Sequence, residues 1–130
     1  MNTQMLMISS SVIMGMTGAI FSFAPHEILG YAGWPAADAP VLFMQIFGAL
    51  YLGFAMLNWM ARANLIGGIY SRPVAIGNFM HFAISAIALI KATFADPNAA
   101  LGIVTFVYAI FAISFALVVF GNPIKVADNT

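Results

Sequence analysis

Residues 99–120, "AALGIVTFVYAIFAISFALVVF", decide the class of fold, because this continuous apolar run carries no charged side chain. A helix needs about 20 apolar residues to cross the hydrocarbon of a bilayer. Three more runs of comparable length occupy residues 5–24, 41–61 and 73–92. A closed barrel would instead need alternating strands of about ten residues. The sequence therefore predicts an all-α fold, an integral membrane bundle of four transmembrane helices.

The composition agrees with this prediction. Of 130 residues, 63% are hydrophobic and 6% are charged, and the mean hydropathy is +1.00. In soluble domains about a quarter of the residues are charged. Four spans and their loops use the whole chain, so we expect a single domain over residues 1–130. Residues 1–24 are interpreted as a retained first span, because they lack the basic segment that opens a signal peptide.

Charge and cysteine content argue against several functions. The net charge is zero, so we expect no nucleic-acid partner. The chain has no cysteine, which removes disulfides, thiolate nucleophiles and cysteine metal sites. No span contains Asp or Glu, and His26 and His81 lie at different depths, so they cannot ligate one haem from opposite faces. We therefore expect no metal, no cofactor and no enzymatic activity.

Proline and glycine mark the expected helix ends. Asp38, Ser71 and Asp96 each lie one or two residues ahead of a proline, a pattern typical of helix starts. Gly121 precedes asparagine and proline and is a predicted stop signal.

The distribution of basic residues predicts the orientation in the membrane. Arg62, Arg72 and Lys125 fall on the side shared by the two termini, whereas Lys91 alone lies toward the other side. The positive-inside rule then places both termini in the cytoplasm. We expect a multi-pass protein of the inner (plasma) membrane, with membrane lipid as a partner.

Aromatic and basic residues at the ends of the spans are predicted membrane-interface anchors. They are Trp59 and Arg72 on the inner side and Trp34 on the outer side. Residues 23–40, "FAPHEILGYAGWPAADAP", are predicted to form a short interfacial segment. The alternative for this loop is a lid over an outer cavity.

Small and polar residues recur at steps of three and four along each span, which indicates faces that contact other helices. The first and fourth spans carry small-residue packing seams, and the second and third carry polar seams. The packing seams leave surplus surface, so we expect a homo-oligomer or a larger membrane complex. The seams comprise Ser11, Gly15, Gly18 and Ser22 on the first span, Gly48, Tyr51, Ala55, Asn58 and Arg62 on the second, Val74, Asn78, His81, Ser85 and Ala88 on the third, and Gly102, Thr105, Ala109, Ala112 and Ala116 on the fourth.

The polar seams define a candidate ligand-binding site. Folding the second and third spans back about Gly67 and Gly68 places Asn58 level with Asn78, and His81 one turn deeper. An ionisable residue at mid-depth is a functional hypothesis by default. The structural alternative is that amides and imidazoles join helices by hydrogen bonds of about 1 kcal/mol, while arginines contact anionic lipid. The ligand-binding candidates are Asn58, Arg62, Asn78, His81 and Tyr51.

Residues 42–65, "LFMQIFGALYLGFAMLNWMARANL", with residues 71–89, "SRPVAIGNFMHFAISAIAL", and the preceding "FAPHEILGYAGWP" resemble the small four-span bacterial membrane proteins called DoxX-like. The resemblance covers most of the chain in hydropathy and layout, and it implies the four-span fold. Members of such families are mostly unassigned in activity. Some are associated with redox or sulfur metabolism, a role for which this chain has no cysteine.

Two functional hypotheses follow from the sequence. The first is a small transporter, channel or binding protein for a polar or anionic solute, suggested by the polar column. The alternative is a non-catalytic structural or accessory subunit of a larger membrane complex, suggested by how little chemistry the chain contains.

Overall fold

The computed structural model describes residues 2–121, and these residues confirm the predicted all-helical class. Of the described residues, 84% are helical and none lies in a strand. Four helices are long and apolar enough to cross a membrane, and their bounds agree with the predicted spans to within three residues at most ends. The helices are α1 (Thr3–Phe23), α2 (Pro25–Tyr31), α3 (Asp38–Ala61), α4 (Arg72–Ala95) and α5 (Ala99–Phe120), with a short 3-10 turn at Ile69–Ser71 before α4.

The chain divides into two compact units. The N-terminal unit, residues 2–63, holds α1, α2 and α3, and the C-terminal unit, residues 64–121, holds α4 and α5. Each unit is built around one pair of long helices that pack against each other. We describe each unit by itself.

Glycine brings α1 and α3 into close contact in the N-terminal unit. A Cβ atom built on Gly18 would lie 2.8 Å from the backbone nitrogen of Leu52 and 2.9 Å from the carbonyl oxygen of Gly48. A Cβ on Gly15 would lie 3.6 Å from the Cβ of Ala55, an ordinary contact. The small-residue seam predicted on the first span is therefore confirmed, and its partner is α3. Without a hydrophobic driving force in lipid, such close backbone approach is a main source of helix association.

The short helix α2 packs on this pair. It starts with Pro25 at a first-turn position, where the missing N–H has no cost. Leu29 is buried, whereas Tyr31 and Trp34 are 82% and 66% exposed. The predicted interfacial segment thus contains a short helix with Pro25 and Leu29 buried, while Tyr31 at its end and Trp34 beyond it are exposed.

The C-terminal unit has an aromatic core between α4 and α5. The Phe82 ring stacks on Phe111 and Phe115 with centroids 4.8 and 5.7 Å away, and it meets Tyr108 edge-on at 5.3 Å. These four side chains are buried. The predicted small-residue seam of the fourth span is half-buried, and the rings beside it form the core between α4 and α5. Large rings fill more of the gap between two helices than alanine does, and they gain more dispersion contacts.

The helix ends follow the predicted pattern in part. Asp38 is the first residue of α3 and Ser71 is the N-cap residue of α4, without a side-chain cap bond. The start predicted at Asp96 is wrong, because Asp96 ends α4 and the side chain of Asn98 caps α5, accepting from the N–H of Ala100 at 2.9 Å. Gly121 ends α5, as predicted. The residues that follow it, including Lys125, lie outside the described residues.

Candidate functional site

Asn58 is at the centre of a buried polar cluster in the N-terminal unit. Its side chain is fully buried, and its amide donates to the hydroxyl oxygen of Ser10 at 3.0 Å. The same amide lies 3.8 Å from the sulfur of Met14. The Ser10 hydroxyl donates in turn to the carbonyl oxygen of Met7 at 3.1 Å. Because buried polar groups need partners, this chain of bonds satisfies Asn58 by joining α1 to α3.

Ser11 makes a second polar link between the same helices. Its hydroxyl donates to the carbonyl oxygen of Ala55 at 2.7 Å, across 44 residues of sequence. Ala55 and Asn58 both belong to the stripe that the sequence analysis assigned to contact with the third span. The structure adds α1 as a partner of this stripe, which the sequence analysis did not foresee. Within the N-terminal unit, the predicted polar stripe of the second span therefore forms packing contacts with α1.

Tyr51 and Arg62, the other candidates on α3, lie on either side of this cluster along the helix. The Tyr51 ring meets Phe21 of α1 edge-on, with centroids 5.8 Å apart. The Arg62 guanidinium lies over the Trp59 ring, 4.1 Å from its centroid, and donates to the carbonyl oxygen of Trp59. Tyr51 is thus held by an aromatic contact, and Arg62 by its own helix end.

Asn78 and His81 belong to the C-terminal unit. Asn78 is fully buried and donates to the carbonyl oxygen of Val74, one turn earlier on α4, at 2.9 Å. His81 is half-buried, with its ring centroid 5.0 Å from Phe82 and 6.0 Å from Tyr108. The buried face of α4 contains Asn78 and Phe82, whereas the predicted face contains Asn78 and His81, the residue before Phe82. His81 therefore lies at the edge of the aromatic core.

The five ligand-binding candidates are divided between the two units. Asn58, Arg62 and Tyr51 belong to the N-terminal unit, and Asn78 and His81 belong to the C-terminal unit. Their convergence into one column stays a prediction. The interface anchors have the exposure expected of them, since Trp34 and Trp59 are 66% and 44% exposed and Arg72 is exposed. Within residues 2–121, no three His, Cys, Asp or Glu side chains come together as metal ligands would.

A threonine pair links α4 to α5, and the sequence analysis missed it. The hydroxyl oxygens of Thr93 and Thr105 lie 2.8 Å apart, and each also lies 2.8 Å from a carbonyl oxygen one turn earlier on its own helix. One hydroxyl therefore donates to the other, and the second donates to the carbonyl of its own helix. Thr105 is a predicted seam residue, whereas the sequence pattern assigns no role to Thr93. Two threonines near the ends of neighbouring spans that are joined by a short turn were the available signal.

These features define a class. An all-helical chain with four membrane-length apolar helices, whose buried polar groups bond to each other, is a multi-pass helical membrane protein. Comparison with protein-family models, with curated proteins and with solved structures gives no match for this chain. The resemblance to DoxX-like proteins therefore stays a prediction.

The bond between Asn58 and Ser10 predicts coupled stabilities. Asn58→Leu should lower the free energy of unfolding by about 1 kcal/mol, the usual range for polar contacts between membrane helices. Ser10→Ala should cost at least as much, because it removes the acceptor of the buried Asn58 amide, whereas after Asn58→Leu the Ser10 hydroxyl keeps its bond to the carbonyl oxygen of Met7. In the double variant the two losses should be non-additive by at least about 0.5 kcal/mol. Unfolding in mixed micelles of dodecyl maltoside and dodecyl sulfate measures all four proteins, and strictly additive losses would contradict the proposed coupling.

Proposed function

We propose that this chain is a non-catalytic structural subunit of a membrane assembly, to which it contributes packed apolar helices. The observation that carries the proposal is the use made of Asn58. Asn58, the most deeply buried amide of the N-terminal unit, donates to Ser10, and the nearby Ser11 hydroxyl donates to a backbone carbonyl of α3. These polar groups hold helices together, as expected of a scaffold.

The exposed surface supports the same proposal. Large apolar side chains project outward from every long helix, with exposed fractions of 60% for Phe43 on α3 and 63% for Ile113 on α5. Such surface suits lipid and neighbouring membrane chains alike. Among the described residues, the charged side chains of the long helices lie at or near the helix ends, so the spans themselves offer few groups for chemistry.

The assembly is tested in native lipid particles excised from the membrane with a styrene–maleic acid polymer. We expect each particle to contain the chain together with further copies or with a second protein in fixed ratio, giving a protein mass above the 13.9 kDa of one copy. Co-expression of two differently tagged copies, compared with copies mixed only after extraction, controls for chance mixing. Particles that hold a single 13.9 kDa copy alone would refute the proposal.

The second candidate function is a small transporter, channel or binding protein for a polar or anionic solute. His81 favours it, because an ionisable residue near the middle of a membrane-length helix and beside Tyr108 is a potential solute contact. Proteoliposomes supply the test, with acetate and inorganic phosphate as probes. For this candidate we expect the protein to accelerate uptake of one probe, His81→Gln to remove the acceleration, and Ile87→Ala, at an exposed position of the same helix outside the polar seam, to keep it. No acceleration, or equal rates in the two variants, would contradict this candidate.

We also propose that both termini face the cytoplasm at the inner (plasma) membrane. The support is that Arg62 and Arg72 flank the connection between α3 and α4, as the positive-inside rule requires of a cytoplasmic loop. Since the chain has no native cysteine, single-cysteine variants can be labelled cleanly. An impermeant maleimide should reach His26→Cys in intact cells and Tyr70→Cys only after permeabilisation, and the reverse pattern would overturn this orientation.

A further inference from the structure

Arg62 and Trp59 form a preorganised cation at the end of α3. The guanidinium carbon lies 4.1 Å from the centre of the indole ring, within the range of a cation–π contact. One guanidinium nitrogen also donates to the carbonyl oxygen of Trp59. Two contacts with one residue hold the long side chain in place, so little side-chain entropy remains to be lost when a ligand binds.

This arrangement leaves donors for an anion. A guanidinium carries five N–H donors in its plane, and the carbonyl oxygen of Trp59 takes one of them. The remaining in-plane donors match a phosphate, which guanidinium groups bind with paired hydrogen bonds. Arg62 is only half-buried, so a ligand can approach it.

The charge of the surrounding sequence favours an anion. Arg62 and Arg72 lie at the two ends of the α3 to α4 connection, and the sequence has no acidic residue between Asp38 and Asp96. The positive charge of this segment is therefore not balanced by an acid of the same segment. Arg62 directly follows the last residue of a membrane-length helix, which is the level at which lipid phosphates lie.

We propose that Arg62, held on Trp59, binds the phosphate group of an anionic membrane lipid. A lipid phosphate and a free phosphate would both be recognised by the guanidinium through the same hydrogen bonds. We assign the phosphate to a lipid, because the site lies at the end of a spanning helix and Trp59 beside it is 44% exposed, as an interfacial tryptophan is.

Trp59 serves as the reporter for the test. The chain has two tryptophans, so Trp34→Phe leaves Trp59, which lies next to Arg62, as the only tryptophan. The full-length Trp34→Phe protein in neutral detergent is titrated with short-chain phosphatidylglycerol, with phosphatidylcholine and with inorganic phosphate. We expect a saturable change in Trp59 emission with phosphatidylglycerol, a much weaker one with phosphatidylcholine, and none with millimolar inorganic phosphate.

Variants in this background test the role of Arg62. Arg62→Gln should raise the apparent Kd for phosphatidylglycerol about tenfold, the loss expected from removing charged hydrogen bonds. Lys91→Gln, which removes the exposed cation of α4 near its other end, should leave the Kd unchanged. Circular dichroism and thermal unfolding check that both variants fold.

The outcomes separate the alternatives. Equal affinities for phosphatidylglycerol in the parent and in Arg62→Gln would overturn the proposal. Saturation by inorganic phosphate alone would overturn the lipid as the source and leave a free-phosphate site. Loss of affinity in Lys91→Gln equal to that in Arg62→Gln would also overturn it, since the effect would then be one of net charge.

Discussion

Gly48→Ala is expected to destabilise the N-terminal unit by about 2–3 kcal/mol, although it adds only one methyl group. The new Cβ would meet the Ser22 hydroxyl oxygen, and it would lie 2.7 Å from the Ser22 nitrogen and 2.9 Å from the Gly18 carbonyl oxygen. Two of these three atoms are backbone, so the α1 helix has to move away from α3. The free energy of unfolding in mixed micelles is the measurement.

The matched control is Gly53→Ala on the same helix. A Cβ on Gly53 would meet no atom within 4 Å, so the same chemical change adds no clash there. Alanine is favoured over glycine in a helix interior by up to about 1 kcal/mol, so Gly53→Ala should be neutral or slightly stabilising. Equal effects of the two substitutions would show that the close approach of α1 and α3 does not hold this unit together.

Phe82→Ala is expected to cost about 2–4 kcal/mol in the C-terminal unit. The Phe82 ring is fully buried and contacts Phe111, Phe115, Tyr108 and His81. In lipid the transfer of an apolar group from water contributes little, but the lost packing and the cavity remain. Unfolding in mixed micelles and near-ultraviolet circular dichroism of the aromatic core are the measurements.

Phe94→Ala gives the comparison on the same helix. Phe94 is 83% exposed, so its removal should change the free energy of unfolding by less than about 0.5 kcal/mol. Phe82→Leu should fall between the two, because leucine keeps part of the buried volume. If Phe82→Ala and Phe94→Ala cost the same, the aromatic cluster does not stabilise the unit.

The presence of the helices was predictable from the sequence, because the hydrogen bonds that form a helix are local. A backbone in lipid must satisfy its own hydrogen bonds, so an apolar run of spanning length becomes a helix whatever its neighbours are. The run at residues 99–120 accordingly became α5 with unchanged bounds, and the run at residues 5–24 became α1 with ends shifted by one or two residues. Ends were less certain, as Asn98 shows. Asp96 and Asn98 are both good caps by residue type, and only the backbone path decides which side chain reaches a free N–H.

The packing faces were predicted well where small residues alone set them. The steps of Gly15 and Gly18 on the first span identified the face that contacts α3, because only a residue without a large side chain permits such close approach. The fourth span was harder. On a helix that is apolar all round, the faces of Ala109 and Phe111 look equally suited to packing, so its aromatic contact face could not be distinguished from the small-residue seam.

The candidate site was likewise predictable only in part. The sequence identified Asn58 as a polar group that had to find a partner inside the protein, since water is absent at that depth. It did not predict Ser10 and Met14 as contacts, nor Trp59 beneath the Arg62 guanidinium. Which side chain becomes the hydrogen-bond partner depends on the rotation of each helix about its axis and on the separation of the axes. A rotation by one residue position already replaces the partner.

The sequence by itself thus determined a chain of four membrane-length helices with polar residues at defined heights along them, because hydropathy and helix geometry act within each segment. The tertiary structure alone decided that Ser10 receives the Asn58 amide, that Thr93 meets Thr105, and that rings rather than small residues fill the gap between α4 and α5. The physical reason is that a hydrogen bond or a ring contact forms only within a few tenths of an ångström of its ideal distance. That distance is set by the packing of whole helices.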